Sequence, residues 1–89
     1  MRELTDIRNE INAIDDEIIA LLARRFALLP DVVAYKRAHG LPAVIPERVA
    51  EVLKRNIATA AARGLDSDLV HAVYQLIIDH YCEAESQKL

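Results

Sequence analysis

The stretch RRFALLPDVVAYKR, Arg24 to Arg37, decides how the N-terminal half of the chain folds. Its apolar residues Leu28, Val32 and Tyr35 continue a three–four alternation that starts at Leu4 and runs through Ile7, Ile11, Ile14, Ile18 and Leu21. That spacing is a helical seam. Pro30 lies inside it. A proline in a helix interior removes one hydrogen bond and crowds the carbonyl four residues back, here that of Phe26, at about 3 kcal/mol. The register nevertheless holds on both sides, so the reading is one long helix kinked at Pro30 rather than two separate helices. Thr5 or Asp6 can cap its start. Gly40 and Pro42 stop it.

Two further helices follow. The second opens at IPERVAEVL, with Pro46 at the first helical position and Glu47 complementing the dipole. It continues through Val49, Val52, Leu53, Ile57 and Ala60 to a stop at Gly64. The third, capped by Asp66 or Ser67, carries Leu69, Val73, Leu76, Ile77 and Tyr81. No alternating strand pattern of useful length occurs. The expected class is all-α, with three helices, the first of them long.

With 89 residues, one domain over 1–89 is expected. The net charge of −3 and pI of about 5.5 argue against nucleic acid as a partner. Cys82 is alone, which rules out an internal disulfide framework and suits a reducing compartment. No signal peptide or membrane span is legible, so a cytoplasmic protein with no membrane partner is expected.

Length then bears on assembly. A helix from about residue 5 to 38 spans about 50 Å at 1.5 Å per residue, whereas a compact globule of this size has a radius of gyration near 12 Å. Such a helix would protrude from a monomer with its apolar seam exposed. An intertwined homodimer, two-fold symmetric, buries that seam.

The cations on the same face need a reason. Arg25 occupies a seam position, where an unpaired guanidinium is costly. Lys36 lies eleven residues on, about 20° from the same azimuth and about 16 Å along the axis. Both can reach towards one small ligand. Arg8 is roughly 25 Å from Arg25 and about 100° round, so it suits a partner's pocket better than its own. Arg48 stands in the first turn of the second helix, where the dipole also favours an anion. Each of these cations also has ordinary ion-pair candidates in Glu10, Asp15, Asp16, Glu17 or Asp79. Arg24 and Arg37 read as solvated surface charges.

These residues resemble a known family, the all-α chorismate mutases with their relatives the isochorismate-pyruvate lyases. The likeness covers nearly the whole chain. It rests on IRNEINAIDDEIIALLARR, on Lys36 eleven residues after Arg25, on PERVAEVL with Arg48 twelve residues after Lys36, on RGLD and on VYQLIIDHY. The resemblance implies an intertwined homodimer with two shared sites and a small dicarboxylate substrate. Arg8 and Arg25 would hold the two carboxylates, a task suited to bidentate guanidinium pairing. Lys36 would donate to the ether oxygen of the enolpyruvyl group, and Arg48 would help close the site. Glu85 and Tyr81 occupy further ligand positions. No cofactor or metal is implied, because the rearrangement of chorismate to prephenate is pericyclic. The protein's part in it is to hold a reactive conformer and stabilise charge developing on the ether oxygen.

Some positions depart from the family pattern. Ile45 and Val49 stand where the mutases often carry acidic groups that contact the ring hydroxyl. An apolar residue after Arg48 resembles the lyases. Glu85 replaces a frequent Gln, the second donor to the ether oxygen, and a carboxyl donates only when protonated. Tyr81 replaces a frequent Ser or Thr and is aromatic in the lyases too. Chorismate mutase is the expected activity. The alternatives are an isochorismate-pyruvate lyase, a mutase for an amino analogue of chorismate, and a non-catalytic helical dimerisation module.

Overall fold

The computed structural model describes residues 1–89. It is helical throughout, with α1 (Leu4–Phe26), α2 (Leu29–His39), α3 (Pro46–Ala62) and α4 (Ser67–Lys88). The long first helix of the sequence reading is the span from Leu4 to His39, interrupted at Ala27 and Leu28. Ala27 keeps a right-handed helical backbone, φ −64 and ψ −16, and its N–H still reaches the Ala23 carbonyl at 2.9 Å. The Leu28 N–H turns instead to the Arg25 carbonyl, three residues back, at 3.3 Å. The ladder therefore tightens and breaks just before Pro30. The proline falls in the first turn of α2, where a missing N–H costs little.

The chain divides into two units, Met1–Pro30 and Asp31–Leu89. In the first, α1 buries no residue. Leu4, Ile11, Ile14, Ile18 and Leu21, all seam positions, are exposed. The expected caps Thr5 and Asp6 lie inside the helix. Glu3 is the N-cap instead and makes no side-chain cap bond. This end is held by backbone alone, through the Ile7 N–H to the Glu3 carbonyl at 3.1 Å.

In the second unit α3 packs on α4. Val52 and Ala60 of α3 are buried, as are Val70 and Ile78 of α4. Two helical steps of four separate Val70 from Ile78, as an amphipathic face requires. Of the apolar residues expected to face inward, Leu69, Val73 and Leu76 are exposed, whereas Ile77 and Tyr81 are half-buried. Asp66, one of the two expected caps, accepts from the Asp68 N–H at 2.8 Å and the Leu69 N–H at 3.4 Å. Gly40 and Gly64 adopt left-handed φ of 63 and 71, which glycine permits without a Cβ clash. Both end their helices in the same way: Leu41 N–H returns to the Lys36 carbonyl and Leu65 N–H to the Ala60 carbonyl, each at 2.9 Å. No helix is long and apolar enough to cross a membrane.

Candidate active site

Lys36 stands in the last turn of α2. Its backbone carbonyl is tied down by the glycine cap just described, so its position is set by the chain reversal at Gly40. The segment after that reversal returns beneath the side chain, and Lys36 Nζ donates to the Ala43 carbonyl at 2.8 Å. From the other side comes α4. Lys36 Nζ lies 2.7 Å from Glu85 Oε1, with the two side chains 13% and 3% exposed. Glu85 is the one buried charged residue of the chain.

This pair is ionic in distance but not a directed hydrogen bond, for Glu85 Oε1 accepts none. A buried carboxyl oxygen with unused hydrogen-bonding capacity sits beside an ammonium that still has protons to offer: Lys carries three, and the Ala43 carbonyl takes one. Burial of an ion pair is not in itself stabilising, but removing one member leaves an uncompensated charge at a cost of about 3–5 kcal/mol. The pair is thus expensive to break and well suited to meet a polar atom of a ligand.

Cys82, half-buried one turn before Glu85, reports on the same field. Burial pushes its thiol above the ordinary value. The Glu85 and Asp79 carboxylates push the same way, and Lys36 partly offsets them.

The other expected site residues are placed as follows. Arg48, in the first turn of α3, is exposed and pairs with Glu51 one turn on. Ile45 and Val49 flank it half-buried, and the Arg48 and Val49 N–H groups both bond the Ile45 carbonyl, at 3.0 and 3.1 Å. Tyr81 is half-buried on α4, one turn before Glu85. In the first unit Arg8 is exposed and Arg25 is half-buried. Of the six, then, Lys36 and Glu85 are in direct contact. Neither Lys36 nor Arg48 uses the acidic partners that the sequence offered; the partners are Glu85 and Glu51.

Two contacts escaped the sequence reading. One is the Ala43 carbonyl: Gly40 signals a reversal after Lys36, but no residue type signals where a carbonyl will point. The other is Arg37. It is exposed, as expected of a surface charge, yet its guanidinium donates to the Lys88 carbonyl at the end of α4.

Comparison with known proteins bears on this arrangement. Residues 7–86 match the family model described as chorismate mutase type II. The T-protein of Enterobacter agglomerans is 34% identical over 86 residues, 97% of this chain and 23% of its own length. The chain thus spans about a quarter of that relative. A 4-amino-4-deoxychorismate mutase of Streptomyces venezuelae is 35% identical over 83 residues, 93% of this chain and 81% of its own length. A chorismate mutase of Methanocaldococcus jannaschii is 29% identical over 89 residues, 100% of this chain and 90% of its own length. With its all-helical fold and a match that runs through nearly every residue, including Lys36 and Glu85, the chain belongs to the chorismate mutase type II family.

Proposed function

We propose that this protein rearranges chorismate to prephenate. The observation that carries the reading is the buried Lys36–Glu85 pair, 2.7 Å apart, in a chain of this family. In the rearrangement the ether C–O bond breaks as a C–C bond forms within one molecule, and no nucleophile or proton acceptor is consumed. What speeds it is a fixed conformer and a donor aimed at the oxygen on which charge grows. Lys36 is that donor. Glu85 stands beside it as the second group facing that oxygen, and it donates only when it carries a proton.

The substrate's carboxylates are assigned to Arg25 and to Arg8 of the partner subunit, with Arg48 closing the site and Tyr81 against the bound ring. This assignment makes residues 1–89 one domain that works as an intertwined homodimer. Support for the dimer is the α1 seam, whose isoleucines and leucines are about half exposed and would each gain about 1 kcal/mol on full burial.

Ile45 and Val49 offer no side-chain acceptor for the ring substituent. That favours, as a second reading, the lyase reaction of isochorismate or a mutase acting on the 4-amino analogue. One experiment decides: chorismate, isochorismate and 4-amino-4-deoxychorismate are supplied separately and the products identified. Prephenate from chorismate, at a higher kcat/KM than for either alternative substrate, is expected. Salicylate and pyruvate from isochorismate as the dominant activity would replace the proposal with the lyase. Preferred turnover of the amino compound would replace it with the amino mutase.

A further inference from the structure

Lys36 and Arg37 are neighbours on α2. Glu85 and Lys88 are three apart on α4, one helical turn on the same face. The two helices meet through both pairs: Lys36 with the Glu85 carboxylate and Arg37 with the Lys88 carbonyl. Within this unit α2 buries Val33, and these two polar contacts tie its last turn to α4.

The last four carbonyls of a helix lack partners within it. Here the Glu85 carbonyl takes the Leu89 N–H at 2.9 Å, and the Lys88 carbonyl takes Arg37. A cation at this position also meets the negative end of the helix dipole. Ser86 contributes no cross-helix bond, because its hydroxyl turns back to the Cys82 carbonyl at 2.9 Å. The last turn of α4 is therefore held from α2 at two points one turn apart.

We propose that Arg37 is a positioning residue. By holding the Lys88 carbonyl it sets the register in which the Glu85 carboxyl meets the Lys36 ammonium. Arg37 does not touch substrate; it acts through the geometry of the pair. This role rests on the proposed function only in its kinetic consequence, since the clamp itself is a structural statement with its own readout.

The test uses the intact chain and four variants, Arg37→Ala, Arg37→Gln, Arg37→Lys and the exposed-cation control Lys54→Ala. Amide exchange across Ser86–Leu89 is measured alongside kinetics on chorismate. In Arg37→Ala these amides should exchange about tenfold faster than in the parent, a loss of local protection of the size one tether provides. In the same variant kcat should fall about five- to tenfold with KM changed less than twofold, because misplacement of a donor costs rate rather than binding. Arg37→Lys, which keeps charge and donors, should recover most of both losses. Arg37→Gln, which keeps a donor and loses the charge, should fall between. Lys54→Ala should match the parent.

Exchange and kcat unchanged in Arg37→Ala overturn the inference. So does a raised KM at constant kcat, which would make Arg37 a substrate-steering charge, and so does an equal loss in Lys54→Ala. If the parent converts none of the three candidate substrates, the functional proposal fails, while the exchange data still decide whether the clamp exists.

Discussion

At the scale of single residues, the Lys36 ammonium and the Glu85 carboxyl share a buried corner. Lys36→Ala should lower kcat by at least about 10²-fold, since it removes a preorganised donor to developing charge. Steady-state kinetics on chorismate, with circular dichroism to verify folding, is the check; a near-normal kcat with only a raised KM would refute the assigned role. Glu85 is tested by its isostere. An amide donates at every pH, a carboxyl only when protonated. Glu85→Gln should therefore flatten the pH–rate profile, and a Glu85→Ala variant with parental kcat across the range would remove Glu85 from the chemistry. Cys82 provides a test that needs no substrate. Its thiol is pushed up by burial first and by the Glu85 and Asp79 charges next, so it should react with iodoacetamide more slowly than a free thiol at the same pH. The folded state holds this proton more tightly than the unfolded one. Its contribution to stability is thus fully present below the unfolded thiol value of about 8.5 and is lost as pH rises through the folded value. The difference between the denaturation midpoints of the parent and Cys82→Ala should stay constant up to neutral pH and shift against the parent only in alkaline solution.

At the scale of elements, helix ends govern where the functional side chains stand. Asp66 caps α4 through two N–H groups, and Asp66→Ala should cost about 1 kcal/mol, read as a lowered denaturation midpoint. Pro30 raises the sharper question. A proline in a helix interior costs about 3 kcal/mol, so its replacement by alanine there would stabilise. In the first turn of α2 the sign reverses: the ring fits, and it restricts the unfolded chain. Pro30→Ala should lower stability by about 0.4–1 kcal/mol. Thermal unfolding distinguishes the two cases by sign alone. A large gain would show that the proline interrupts a helix that otherwise runs through.

At the scale of the whole molecule, α1 is where the proposed dimer is tested. A helix with no buried residue and a row of exposed isoleucines and leucines leaves unburied the apolar surface that stabilises helices in water. The proposed homodimer predicts a dimer mass by sedimentation at micromolar concentration, and a compact folded monomer there would sink it. It also predicts complementation. If Arg8 serves the partner subunit's pocket, mixing and refolding Arg8→Ala with Lys36→Ala gives a heterodimer in which one pocket carries both defects and the other neither. Activity should then return in part. A verified heterodimer with no recovery would place Arg8 outside the shared pocket.

Much of this was legible in the sequence because it is local or periodic. The seam from Leu4 to Tyr35, the stops at Gly40 and Gly64, the start at Pro46 and the cap at Asp66 follow from helix spacing and from the backbone preferences of single residues. Lys36 and Glu85 stood out by their positions in the family pattern. The sequence could not say that they touch, because 48 residues lie between them, and no residue type announces a contact at that separation. Nor did it show which stripe of α4 turns inward. Two apolar stripes compete there, Val70–Ile78 and Leu69–Leu76, and only docking against α3 selects the first. The Ala43 carbonyl and the Lys88 carbonyl are backbone atoms, identical at every position along the chain. Their roles arise where the fold aims them, at Lys36 and Arg37, and tertiary structure alone decides that.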